Sequence, residues 1–153
     1  SYKILEKSIG QIIKNKKDDT IICIENNVVE RKNFLPGNNK YIFSDLKDSD
    51  FINKLIKNYN IKILLDVAHL KVSSNTLKFD PFKFIDEYQN SIYIVHLSDN
   101  SGINDDGSII KKDSWFWKSL NWKNIEYVSL EIKNVDISVL KQQIELTSKM
   151  INL

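Results

Sequence analysis

The sequence contains a single cysteine, Cys23, so no disulfide can form within the chain. Cys23 lies inside an apolar run, and we expect it to be a reduced core residue of a cytoplasmic protein. No apolar stretch is long enough to cross a bilayer, and the N-terminus has no signal-peptide pattern. These absences predict a cytoplasmic protein that has no membrane partner.

An excess of charge of one sign is also missing. The chain has 22 basic and 20 acidic residues, a net charge of +2, which argues against a nucleic-acid partner. Only four glycines and two prolines occur, and with the abundant lysine, asparagine and isoleucine this indicates a coding bias rather than a function. A hydrophobic content of 42% with 27% charged residues is typical of a folded globular protein and argues against disorder.

Apolar runs with the period of strands alternate along the chain with patterns that have the period of helices. We predict strands near residues 20–25, 61–66, 92–96 and 126–131. The helical patterns cover residues 2–13, 51–56 after a cap at Ser49, 82–88 after Asp80-Pro81, 113–120 and 137–150. Strands that alternate with helices form βαβ units and a parallel sheet. We therefore predict an α/β fold in one domain, residues 1–153, with about four βα units.

The four predicted strands end at residues that can bind a metal or exchange a proton, namely Glu25, Asp66, His96 and Glu131. The carboxyl ends of parallel strands meet at one edge of the sheet, where α/β proteins place their chemistry. A single such residue could simply begin a solvated loop, but four in four strands favour a shared site. His69, the only other histidine, follows Asp66 by three residues. It could be a hydrogen-bonded core residue, or it could contact substrate or a second metal.

Three carboxylates and one imidazole form an oxygen-rich set of ligands. Such a set suits one divalent ion, Mn²⁺, Mg²⁺ or Co²⁺. Zn²⁺ is a further possibility, although structural zinc sites favour thiolates.

Four segments carry a resemblance to a known family: "CIENN", "LLDVAHLKVS", "VHLSDNSGINDDG" and "VSLEI". In this order they resemble the xylose isomerase-like TIM-barrel superfamily, which includes sugar isomerases and epimerases, the endonuclease IV family and a related group of multinuclear iron enzymes. The resemblance implies the carboxyl-terminal half of a TIM barrel, with one divalent metal held by Glu25, Asp66, His96 and Glu131. It also implies that His69 contacts the substrate, as in the epimerases, or binds a further metal, as in the nucleases.

The sequence departs from this family in two ways. The nuclease and iron-enzyme branches carry Asp-x-His after the third of these strands, whereas this chain has Asp105-Asp106-Gly107. A multinuclear site would lose a ligand there, and a mononuclear site would not. A complete barrel also needs eight strands and roughly 250 residues. We therefore expect this to be the carboxyl-terminal part of a longer chain that supplies the other half of the barrel; the alternatives are a partner chain and the association of two copies.

The function predicted from the sequence is a metal-dependent isomerase or epimerase that acts on a small carbohydrate. Glu25 and Glu131 would transfer the proton next to a carbonyl, while Asp66 and His96 would anchor the metal. The aromatic residues 115–117 are expected to pack in the core rather than against a sugar. The alternatives are an endonuclease IV-like phosphodiesterase, a multinuclear iron oxidase that acts on peptides, and a catalytically silent barrel.

Overall fold

Four parallel strands form one sheet in the computed structural model, which describes residues 2–33 and 42–152. The strands are β1 (Cys23–Glu25), β2 (Lys62–Asp66), β3 (Ile92–Leu97) and β4 (Tyr127–Leu130). They are ordered β1-β2-β3-β4, and each neighbouring pair is parallel. This confirms the α/β fold with parallel strands, and its extent agrees with part of a (β/α) barrel.

Five α-helices accompany the sheet in the described part of the chain. They are α1 (Tyr2–Asn15), α2 (Ser49–Tyr59), α3 (Val67–Leu77), α4 (Pro81–Tyr88) and α5 (Ile137–Ile151). Helix α4 begins as predicted, because the Asp80 carboxylate accepts a hydrogen bond from the Phe82 N–H at 2.9 Å and Pro81 occupies the first turn. In residues 2–33 and 42–152, the structure contains no helix of the length and apolarity that a membrane crossing requires.

Two local predictions about helices are wrong. Residues 113–120 form turns rather than a helix, because the Ser114 hydroxyl accepts from the Lys111 N–H at 3.0 Å and donates to Asp99 at 2.7 Å. These side-chain bonds compete with helical ones. At α2, Ser49 is the first helical residue and the cap position falls on Asp48, whose carboxylate accepts from the Phe43 N–H instead of capping the helix.

Helix α3 follows β2 directly and has no counterpart among the predicted elements. Asp66, the last residue of β2, caps it by accepting a hydrogen bond from the His69 N–H at 2.8 Å. The helix is buried on most of its sides, with Val67, Leu70 and Val72 at 1% exposure or less. An all-round buried helix shows no single apolar stripe, which explains why the sequence pattern did not reveal it.

Helix α5 buries a polar face. Gln143 is buried, and its side chain pairs with the N–H and the C=O of Ile110 at 2.7 and 3.3 Å. Ile137 and Ile144, which gave the segment its helical pattern, are 75% and 50% exposed. The helix forms where the periodicity indicated, and Met150, which belongs to the same pattern, packs against the core, but the first part of the apolar stripe is exposed.

The two faces of the sheet have different environments. Leu65, Val95 and Leu97 are fully buried, and they belong to the hydrophobic core beneath the helices. Because side chains alternate along a strand, Asp66 and His96 lie on the opposite face, and the two are direct partners in the β2–β3 register. The sheet therefore presents polar residues at its carboxyl edge, on the face away from the core.

Candidate metal centre

Each of the four strand-end residues lies at the carboxyl edge of the sheet. Glu25 and Asp66 are the last residues of β1 and β2, and Glu131 is the first residue after β4. His96 lies within β3 rather than after it, since that strand continues to Leu97. By alternation, all four side chains belong to the same sheet face.

The ligating atoms of Glu25, Asp66 and His96 lie within 4.8 Å of one another. The Nδ1 atom of His96 is 2.8 Å from Glu131 Oε1 and 3.8 Å from Glu25 Oε1. A divalent ion bound at about 2.0–2.2 Å by each ligand separates ligand atoms by distances of this order. Glu25, Asp66 and His96 are thus close enough to share one ion, and Glu131 lies next to this group through its approach to His96.

His69 lies beside this group because it is in the first turn of α3, the helix that Asp66 caps. Its Nδ1 atom is 3.0 Å from the carbonyl oxygen of Asn26 and 3.5 Å from Glu25 Oε1. A carbonyl oxygen can only accept, so a hydrogen bond between these two atoms requires a proton on Nδ1. The Nε2 atom faces Asp66 Oδ2 at 3.7 Å and Asp105 Oδ2 at 3.6 Å.

Asp105 reaches the site from the loop that follows β3. Its backbone N–H donates to the buried carboxylate of Glu30 at 3.0 Å, and Lys133 Nζ lies 3.4 Å from its Oδ2 atom. The pKa of Glu30 lies below its usual range, first because Lys32 donates to its carboxylate and then because Asp105 does. Glu30 is therefore an ionised acceptor that holds the Asp105 backbone next to His69.

The position of Gly107 has no room for a side chain. A Cβ atom there would lie 2.8 Å from Cγ of Lys133 and 3.0 Å from the carbonyl oxygen of Glu131, and the backbone φ of +65° disfavours any other residue. The Lys133 stem instead passes over the glycine. A histidine ligand at 107 would require this part of the site to be rebuilt.

The carboxylates differ in exposure, which separates their chemical roles. The Asp66 side chain is 3% exposed, whereas the side chains of Glu25 and Glu131 are 41% and 43% exposed. Burial raises the pKa of Asp66, and the neighbouring His69 opposes that shift. Asp66 thus lies inside the protein, whereas the two glutamates can be reached from solvent.

The donor atoms fit a divalent metal ion. The Nδ1 atom of His96 is buried and, within the described residues, forms no hydrogen bond, although Glu131 is close to it. Carboxylates of Glu25, Asp66, Asp105 and Glu131 gather around the two imidazoles, and a cation would compensate their charge. Mixed carboxylate and imidazole ligands suit Mn²⁺, Fe²⁺, Co²⁺ or Zn²⁺.

Two residues at this site were not among the metal ligands and catalytic residues predicted for the isomerase, although the nuclease alternative would use Asp105. Asn26 follows Glu25 directly and hydrogen-bonds to Asp66, and Asp105 contacts His69. The sequence contained a signal for Asp105, because this residue begins the Asp-Asp-Gly stretch after β3. For Asn26 the sequence contained no signal beyond its position next to an acidic strand end.

Comparison with known proteins gives one match. A sequence profile of the family described as "RiPP precursor modification enzyme MbnB/TglH/ChrH" matches residues 35–115, which is more than half of the chain. RiPPs are ribosomally synthesised and post-translationally modified peptides. No curated protein and no solved structure matches the chain.

This match overturns the assignment to the xylose isomerase-like superfamily, because it is to a different family. The segments that suggested the superfamily are short, and the positions that carried the resemblance are acidic and histidine residues at strand ends. Metal chemistry places such residues at the ends of parallel strands in unrelated enzymes, so they indicate a type of site rather than a family.

Proposed function

The chain belongs to the MbnB/TglH/ChrH family of RiPP precursor modification enzymes, and from that premise we propose that it forms a metal centre that modifies a ribosomally made precursor peptide. The family supports an enzyme that depends on a metal ion. Of the alternatives considered from the sequence, a metal enzyme that acts on peptides agrees best with this membership.

The observation that carries the proposal is the convergence of Glu25, Asp66 and His96, whose ligating atoms lie within 4.8 Å of one another at the carboxyl edge of the sheet. Glu131 joins them through its 2.8 Å approach to His96. We assign these four residues as ligands of one divalent ion. Asp66 and His96 would anchor it, because their side chains are the least exposed of the four.

His69 and Asp105 extend the same site. The Nε2 atom of His69 faces carboxylate oxygens of Asp66 and Asp105 at 3.7 and 3.6 Å, so Asp66 stands between the two groups of ligands. A second ion held by His69 and Asp105 would use Asp66 as a shared ligand. Bound metal would supply Lewis-acid or redox chemistry to a substrate.

The half-exposed glutamates face the side from which a peptide can approach. Glu25 and Glu131 are 41% and 43% exposed, so each could accept or return a proton at the reacting part of the peptide. Lys133, next to Asp105, adds a positive charge at the same rim and could hold a peptide carboxylate.

The test combines metal content with peptide mass. The protein would be loaded anaerobically with Fe²⁺, Mn²⁺ or Co²⁺, freed of excess ions and analysed for bound metal. It would then be incubated with precursor peptides encoded near its gene, in air and without air, and the peptides examined by mass spectrometry. We expect at least one ion per chain and a metal-dependent mass change in one peptide.

Asp66→Asn should abolish the mass change and lower the metal content, because it removes a buried anionic ligand. Asp106→Asn is the matched control, since Asp106 lies next to Asp105 but is exposed and bonds to Ser108. Stoichiometric metal with every candidate peptide unchanged would contradict the proposal.

A sugar isomerase is the second candidate. The observation that favours it is that Glu25 and Glu131 are both half-exposed carboxylates beside His96, as a pair that transfers a proton would need to be. Incorporation of solvent deuterium into an aldose, lost in both Glu25→Gln and Glu131→Gln, would support this candidate over peptide modification.

A further inference from the structure

Asn26 makes an unusual pair of hydrogen bonds. Its side-chain oxygen accepts from the Asp66 N–H at 2.8 Å, and its side-chain nitrogen donates to the Asp66 C=O at 3.0 Å. Asn26 is 1% exposed, so both bonds are shielded from water. One amide side chain therefore satisfies both peptide groups of a residue in the metal centre.

The same residue touches two more members of the site through its backbone. It is bonded covalently to Glu25, and its carbonyl oxygen lies 3.0 Å from Nδ1 of His69. Glu25, Asp66 and His69 come from β1, β2 and α3, which are separate elements. Asn26 thus connects β1 to both β2 and α3, which follow each other directly in the chain.

The end of the pairing between β1 and β2 explains why a side chain, rather than a backbone group, bonds to Asp66. Backbone pairing between β1 and β2 ends at Glu25 and Leu64, and the Asn27 N–H donates to Phe43 at 2.9 Å, so the chain has already left the sheet. The Asn26 amide takes the place of the missing peptide partner of Asp66. Without it, the Asp66 N–H would be buried and unpaired, whereas the Asp66 C=O, at the cap position of α3, would keep the first hydrogen bond of the helix.

We propose that Asn26 is a positioning residue of the metal centre: it fixes the backbone of Asp66, and through its own carbonyl it keeps the proton of His69 on Nδ1. The Nε2 lone pair then points at Asp66 and Asp105, where an ion would need it. This inference rests on the proposed function, since it concerns the same site. Partners of this kind, one step from the metal, affect its affinity by about 10- to 100-fold.

Asn26→Asp tests the proposal by changing one group of atoms. It keeps the size of the side chain and an acceptor for the Asp66 N–H, but it removes the donor to the Asp66 C=O. Asn27→Asp is the matched control, because Asn27 is exposed and its side chain also donates to a backbone carbonyl, that of Ile42, at 2.6 Å.

Co²⁺ is the probe, because its visible absorption reports both affinity and ligand geometry. We expect Asn26→Asp to bind Co²⁺ at least about 10-fold more weakly and with an altered spectrum, whereas Asn27→Asp should match the wild type in both. A folded Asn26→Asp protein with wild-type affinity and spectrum would overturn the proposal.

A second measurement needs no variant and no metal. In the metal-free wild-type protein, ¹⁵N NMR of the His69 ring distinguishes a proton on Nδ1 from one on Nε2. We expect the Nδ1 form, and a predominant Nε2 form would overturn the proposal even if Asn26→Asp failed to fold. A wild-type protein that binds no Co²⁺ but shows the Nδ1 form would refute the metal centre and leave the role of Asn26 in orienting His69 standing.

Discussion

Replacing Gly107 with alanine should destabilise the protein and weaken its metal centre together. Gly107 has a backbone φ of +65°, and in this left-handed region a residue with a Cβ loses about 1–2 kcal/mol relative to glycine. The new methyl group would also lie 3.0 Å from the carbonyl oxygen of Glu131. That oxygen belongs to the backbone, so relief of the contact would displace Glu131 from His96.

The contact with Lys133 adds little to this cost. The methyl group would lie 2.8 and 2.9 Å from Cγ and Cδ of Lys133, but these atoms belong to a flexible side chain that is half exposed. The expected loss in the free energy of unfolding is therefore about 1–2 kcal/mol from the backbone conformation, with a smaller addition from the approach to Glu131.

Urea unfolding of the metal-free protein measures the first effect, and Co²⁺ titration measures the second. Gly10→Ala is the control, because Gly10 lies inside α1 and its nearest neighbour would be the Tyr59 ring at 3.5 Å. Alanine should stabilise α1 there by about 0.5–1 kcal/mol. If Gly107→Ala unfolded at the wild-type urea concentration and bound Co²⁺ normally, the strain and the coupling to Glu131 would both be refuted.

Three further outcomes are expected from the structure. Asp80→Ala should lower the free energy of unfolding by about 1 kcal/mol, because it removes the cap of α4. An unchanged urea midpoint would show that the cap contributes nothing to stability. Asp66→Asn should weaken Co²⁺ binding at least about 10-fold in a direct titration, whereas Asp106→Asn should leave it within the error of the wild type. Burial acts to raise the pKa of Asp99, but donation from Lys71 and from a serine hydroxyl outweighs it, so the pKa lies below the usual range. The stabilisation by the ionised Asp99 carboxylate is thus complete above the ordinary aspartate pKa of about 3.9 and is lost as the pH falls through the lower pKa of the folded protein. The difference in melting temperature between the wild type and Lys71→Ala should therefore close in that acid range. A difference that does not change with pH would contradict the ion pair.

The sequence predicted strands and caps correctly where a short stretch of residues contains the physical cause of the structure that it forms. Runs of β-branched and aliphatic residues form the four strands, of which β2 and β3 contain buried residues, so the positions of the strands and their parallel arrangement followed from alternation with helices. The cap at Asp80 followed from an acidic residue before proline. Asp66 and His96 could be identified as strand-end residues because each interrupts an apolar run. That the chain is part of a larger barrel stays a prediction.

Tertiary structure decided the features that depend on neighbours distant in sequence. Helix α3 is buried on most sides, so its residues carry no stripe that periodicity could detect, and only packing shows it as a helix. Residues 113–120 have a helical pattern, yet the bond between Ser114 and Asp99 holds them in turns. The hydrogen bonds of Asn26 to Asp66 join residues that are 40 positions apart. The sequence around an asparagine does not indicate which peptide group its side chain will hydrogen-bond. The sequence determined which residue types reach the edge of the sheet, and the fold determined which of them meet, because distances between side chains depend on how strands and helices pack.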